Sequence, residues 1–268
     1  MNPTPLRFRR GLRELYALLT MPSTAKPPSH GVVFCNPLGQ EAIRTHRMYR
    51  VLADRLAAAG LAVLRFDYYG TGDSAGSDSD GEPSGWVEDS LAACELLQSR
   101  TGCTALSLFG MRLGANLALR AATRMPTPPR AVLLWDPIVD GRRYLEQLRR
   151  AHECALATAY GARWTTEPAL RAFHAPAGHS EVLGFVLSVD LERGLTGIRL
   201  DEELDRAAAL LPRLHVWCDP AALQGSFPTL RIHPPGIPID WMADEALNTP
   251  IAPVEIVRGV IDALEAAR

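Results

Sequence analysis

Residues 110–114 read Gly-Met-Arg-Leu-Gly, inside the stretch Ala105–Ala122, ALSLFGMRLGANLALRAA. An apolar run, a glycine-flanked turn and a helical run present the middle residue of the turn at its apex. With serine there, Gly-x-Ser-x-Gly offers a nucleophilic hydroxyl. Arg112 holds that position. A guanidinium stays protonated, with a pKa above about 12, and cannot attack a carbonyl; it can grip a carboxylate or phosphate. Gly72-Asp-Ser-Ala-Gly76 also matches the serine pattern, but it sits in a polar loop with no helix directly after Ser74. Ser107 falls within the apolar run and is expected to pack. Cys35 ends another apolar run without a basic neighbour to activate its thiol, so it is expected to be buried and inert. His152, His174 and His179 lack a compact metal-ligand spacing. No metal and no cofactor are expected.

The elements that must position these residues follow from the hydrophobic pattern. Leu6–Phe8 and Glu14–Leu19 flank Arg10-Gly11 and predict a hairpin. Gly31–Cys35, Leu61–Asp67, Ala105–Phe109, Ala131–Trp135, Arg213–Cys218 and Thr229–His233 read as strands. EAIRTHRMYRVLADRLAAAG places Ile43, Met48, Val51, Leu52 and Leu56 on roughly one helical face, with Gly60 as the stop. WVEDSLAACELLQSR and Pro253–Ala267 are further helices. Strands alternating with helices predict a mostly parallel sheet covered on both faces. The rhythm breaks at about residues 140–205, which read as a mainly helical lid inserted into one domain spanning 1–268. Tyr144, Leu148, Trp164, Phe173 and Phe185 of that insertion either line an apolar pocket or pack the lid onto the sheet.

The chain resembles the α/β-hydrolase fold, and within it the serine aminopeptidase-like hydrolases, especially those associated with exosortase systems. FCNPLGQE (Phe34–Glu41), LRFDYYGTGDSAG (Leu64–Gly76), LFGMRLGANLA (Leu108–Ala118), LLWDPIVDGRRYLEQL (Leu133–Leu148) and LGFVLS (Leu183–Ser188) carry the resemblance. It implies an oxyanion hole built from backbone amides, with Leu38 and Gly39 from the loop after the first central strand and Leu113 just past the elbow. It implies an acid at Asp219, or one strand earlier at Asp136. It implies a histidine between the last strand and the last helix, where Pro234–Pro253 holds none; His233 sits several residues early, and His215 lies inside a strand. Nucleophile and base are thus both missing from their usual places, and Ser–His chemistry needs both within hydrogen-bond reach.

An arginine at the positive N-terminal end of a helix needs a counter-charge. Asp136 and Asp219 end neighbouring strands, so Arg112 is expected to pair with one or both. Either this ion pair plugs a vacant active site, or Arg112 and the adjacent amides form an anion pocket. Three functions stay open: a non-hydrolytic protein that binds a small acyl or anionic ligand or serves a pathway as an accessory to a protein partner; a hydrolase or acyltransferase with a displaced nucleophile at Cys35 or water; and a lyase or cyclase using the same pocket.

Bulk properties narrow the field. A net charge of −2 over 268 residues argues for neither nucleic acid nor a membrane surface as partner. Lys26 is the only lysine. Five cysteines without a CxxC pair predict free thiols, and the absence of an apolar leader predicts a cytoplasmic protein.

Overall fold

The computed structural model describes residues 2–24, 26–174, 180–225, 227, 230–236, 240–241 and 253–267. The chain opens with an antiparallel hairpin, β1 (Thr4–Arg10) and β2 (Arg13–Thr20), turned at Gly11. Then follow β3 (His30–Cys35), α1 (Gly39–Ala58), β4 (Ala62–Phe66), α2 (Pro83–Thr101), β5 (Ala105–Met111), α3 (Leu113–Ala122) and β6 (Ala131–Trp135). Between β6 and β9 (Leu214–Trp217) lie α4 (Gly141–Tyr160), α5 (Ala162–Thr166), α6 (Pro168–His174), the small hairpin β7 (Ser180–Val182) with β8 (Phe185–Leu187), α7 (Val189–Thr196) and α8 (Leu200–Ala208). β10 (Leu230–His233) and α9 (Val254–Glu265) close the chain.

The strands form one sheet in the order β1-β2-β4-β3-β5-β6-β9-β10. From β4 to β10 all neighbours run parallel, whereas β2 joins β4 antiparallel. β3 through β6 are buried almost end to end, as strands covered on both faces must be. Met48, Leu52 and Leu56 of α1 and Val260 and Leu264 of α9 cover one face; α2, α3, α7 and α8 cover the other. The chain passes from β3 to β4 on one side and then to β5 on the other. This reversal opens a crevice at the carboxyl ends of β3 and β5, where ligands bind in such sheets. The expected strands and helices match these closely, and the segment between β6 and β9 is mainly helical. This is the α/β-hydrolase fold.

Candidate functional site

The turn from β5 into α3 is held by close backbone contact. A Cβ on Gly114 would run into the carbonyls of Cys35 and Asn36, so only glycine lets α3 start directly against the end of β3. Arg112 sits at the apex with φ +53° and ψ −128°, a conformation that an L-residue adopts under strain. Its amide donates to Trp135 O at 3.1 Å, and its carbonyl accepts from Ala115 N at 3.0 Å. One strand over, Asp136 also has positive φ, +46°, and its amide donates to Trp217 O.

Three groups close around the Arg112 guanidinium. Nε donates to Glu41 Oε1 at 2.8 Å. Nη1 lies 3.3 Å from Asp136 Oδ2. The Tyr144 ring lies beneath it, 5.4 Å from Cζ to the ring centre, while the Tyr144 hydroxyl donates to Glu41 Oε2 at 2.8 Å. Both oxygens of a carboxylate that is 1 % exposed are therefore engaged by charged or hydroxyl donors. Burial alone would pull the Arg112 pKa down, but the Glu41 and Asp136 carboxylates outweigh it and raise it above its ordinary value. Burial, then the same Glu41 charge, pushes the Tyr144 phenol well above its usual range. The cluster ties together α1, the elbow, the end of β6 and α4.

Of the two aspartates expected to face Arg112, only Asp136 does. The sheet spacing explains this: Asp136 follows the adjacent strand, whereas Asp219 follows the one beyond, about 10 Å from β5 at roughly 4.8 Å per strand. The Asp219 carboxylate instead accepts from Ala221 N at 2.9 Å and caps the short turn Pro220–Ala222. Glu41 takes the remaining place. Its sequence signal was a carboxylate on the stripe Glu41, Thr45, Met48, Leu52, Leu56, the buried face of α1. A charge on an apolar helical face asks for a partner.

His233 pairs in register with Trp217 and stacks on it at 4.5 Å, with Nε2 3.0 Å from His215 Nδ1. It lies three strands from β5, about 14 Å at roughly 4.8 Å per strand, beyond hydrogen-bond reach of the elbow. Burial pushes both imidazoles down, that of His215 to about 4, with His233 adding to the effect there. Cys35 is fully buried. Its thiol donates to Ser90 Oγ at 3.7 Å, and burial pushes it up to about 12. Ser74 donates to Asp67 O and accepts from Tyr16 N, fastening the polar loop to the edge of the sheet. Ser107 is buried against His30 at 2.9 Å. Among the described residues no group of His, Cys, Asp and Glu could hold a metal ion, and no helix is long and apolar enough to cross a membrane. His179, the side chains of Phe173 and His174, and most of Pro234–Pro253 lie outside the described residues.

Leu38 and Gly39 cap and begin α1 without a side-chain cap, and Leu113 begins α3. Gly39 has φ +54° and meets the Phe185 ring, to which a Cβ would come within 3.1 Å. Beside this loop, away from Arg112, opens a cavity of about 590 Å³. Its wall includes Asn36–Gly39, His46, Arg65, Asp67, the glycine-rich turn Gly70–Asp73 and Phe185. Tyr144, Leu148 and Trp164 pack as core instead, while Phe185 lines this space.

Residues 26–175, more than half of the chain and including the elbow and its partners, match the family described as serine aminopeptidase, S33. The chain belongs to that family. Lysophosphatidylserine lipase ABHD12 of Xenopus tropicalis is 32% identical over 99 residues, 36% of this chain and 24% of the lipase. The Gallus gallus ABHD12 is 33% identical over 98 residues, 35% and 24% of the two chains. These matches span about a quarter of the lipases' length. Among solved structures, a proline iminopeptidase of Mycobacterium smegmatis superposes with a TM-score of 0.65 at 15% identity over 98% of both chains. Est1E of Butyrivibrio proteoclasticus, solved with ferulic acid bound, superposes with a TM-score of 0.62 at 16% identity over 98% of both. At such identity the likeness is one of fold.

Proposed function

We infer that this S33 family member is non-hydrolytic: Arg112 stands where the family's serine nucleophile would, and the protein binds a small acyl or anionic ligand, by itself or as an accessory to a partner in a pathway. The observation that carries the reading is the 2.8 Å contact from Arg112 Nε to the buried Glu41 carboxylate at the apex of the elbow. A protonated guanidinium already matched by two carboxylates is neither a nucleophile nor a free anion trap. This favours the plugged site over the anion pocket. A displaced thiol finds no support at Cys35, since a buried sulfur with a pKa near 12 is a neutral thiol at physiological pH. The backbone amides of Leu38, Gly39 and Leu113 remain as the relic of an oxyanion hole, without a group to form the oxyanion.

The test is direct. A fluorophosphonate probe should not label the protein, and Arg112→Ser should stay inactive on short-chain p-nitrophenyl esters because no imidazole among the described residues hydrogen-bonds into the elbow. Probe labelling of the wild type, at Ser74 or elsewhere, would overturn the reading.

A further inference from the structure

The cavity beside the oxyanion-type loop is lined by a second buried arginine, one that no carboxylate among the described residues contacts directly. Arg65 sits on β4, between Leu18 of β2 and Phe34 of β3 in register, and is 7 % exposed. Its buried Nε has no hydrogen-bond partner, and Arg65 makes no ion pair among the described residues. Asp54 and Asp67 act on it through space, and Arg50 opposes them. Asp54 is the stronger of the two, yet neither carboxylate hydrogen-bonds to Arg65, and that of Asp67 is already committed: Oδ2 accepts from Asp73 N at 3.0 Å and Oδ1 from Asn36 Nδ2 at 3.3 Å. Arginine cannot escape such a position by losing its proton. A buried, unmatched charge is costly in the free protein, and a carboxylate arriving from outside would offset that cost.

The rest of the wall says what the carboxylate would be attached to. Tyr16, Leu18, Ile43, Phe66 and Phe185 give the cavity an apolar lining, and its volume of about 590 Å³ suits a small organic molecule rather than a bare ion. The uncapped first turn of α1, at Gly39, borders the same space and adds positive potential. We propose that this cavity is a binding site for a monocarboxylic acid with an apolar acyl or aromatic body, its carboxylate held by Arg65 and its body packed against Leu18 and Phe185. The proposal rests on the ligand-binding reading above and supplies its ligand class. It also moves the ligand from the elbow to the β4 side of the loop.

Octanoate is a suitable probe because it is ionised at neutral pH and has no scissile bond, so its binding is read independently of any hydrolysis. By calorimetric titration at pH 7.5, octanoate should bind the wild type about tenfold or more tighter than neutral octanamide. Arg65→Met, similar in length and apolar, should lose that preference. Its melting temperature without ligand should be equal to or above that of the wild type, because an unpaired buried charge has been replaced by a methyl thioether. Equal affinity for octanoate and octanamide, no octanoate binding to the wild type, or undiminished preference in Arg65→Met would overturn the proposal. So would a lowered melting temperature in Arg65→Met, which would make Arg65 a structural strut. Fluorophosphonate labelling with intact Arg65-dependent octanoate binding would instead overturn the non-hydrolytic reading alone.

Discussion

Two arginines flank the loop after β3, and they meet opposite conditions. Arg112 is locked on the β5 side by Glu41 and Asp136, with Tyr144 beneath it. Arg65, also largely buried, borders an open cavity on the β4 side with no hydrogen-bond partner for its Nε among the described residues. The first is a closed electrostatic unit, whose charge was matched when the chain folded. The second is an open one: Asp54 and Asp67 act on it only through space, which leaves room for a ligand carboxylate. His215 shows a third solution to a buried base: it stays neutral, with Nε2 unpartnered among the described residues and its pKa held down to about 4. Arginine lacks that option, so an unmatched arginine points to a ligand more strongly than an unmatched histidine does.

If Arg112 belongs to a closed unit, removing it should be severe. Arg112→Met should cost about 3–5 kcal/mol in urea unfolding, because Glu41 is left charged and buried. A cost below about 1 kcal/mol, the value of an exposed pair, would erase the contrast with Arg65. Combining Arg112→Met with Glu41→Leu should recover part of the loss, since the orphaned carboxylate goes with its partner. Tyr144→Phe removes one hydrogen bond to a charged acceptor and should cost about 2 kcal/mol by the same measurement. Asp136→Asn should cost less than about 1 kcal/mol, because that carboxylate is 42 % exposed and its contact with Arg112 is the longer of the two.

The smallest expected effect is the pH dependence from His215. Its folded pKa lies below the ordinary 6.5, so the unfolded chain takes up the proton first as pH falls. Stability from this group is fully present above pH 6.5 and is lost progressively between pH 6.5 and about 4. Melting curves across that window should fall less steeply for His215→Phe than for the wild type. An unchanged slope would show that His215 is not held neutral.

Much of the frame was legible in the sequence. The buried strands announce themselves as short apolar runs, and Gly110 and Gly114 mark a tight strand-to-helix turn even with arginine between them. Asp136 was legible as a partner of Arg112 because it ends the next strand. That Asp219 is not the second partner was not legible, because chain order does not show that its strand lies one spacing farther from β5. Glu41 was within reach of the helical periodicity of α1, since it heads the buried stripe, but a stripe does not name the residue across from it. Arg65 gave no such signal. Within LAVLRFD it reads as the polar interruption of an apolar strand, and nothing local distinguishes a side chain that escapes to solvent from one that remains buried.

The sequence by itself determined the order of strands and helices, the elbow with an arginine at its apex, and the lack of histidine between Pro234 and Pro253. These depend on local periodicity, turn chemistry and residue identity, which a linear chain displays. The tertiary structure decided which charges meet. Glu41 is separated from Arg112 by 71 residues and from Tyr144 by 103 along the chain, yet both side chains lie within hydrogen-bond distance of its carboxylate. The fold also left Arg65 Nε without a hydrogen-bond partner among the described residues. Electrostatic energy depends on distance and burial in three dimensions, and both are set only when the sheet has brought its strands side by side.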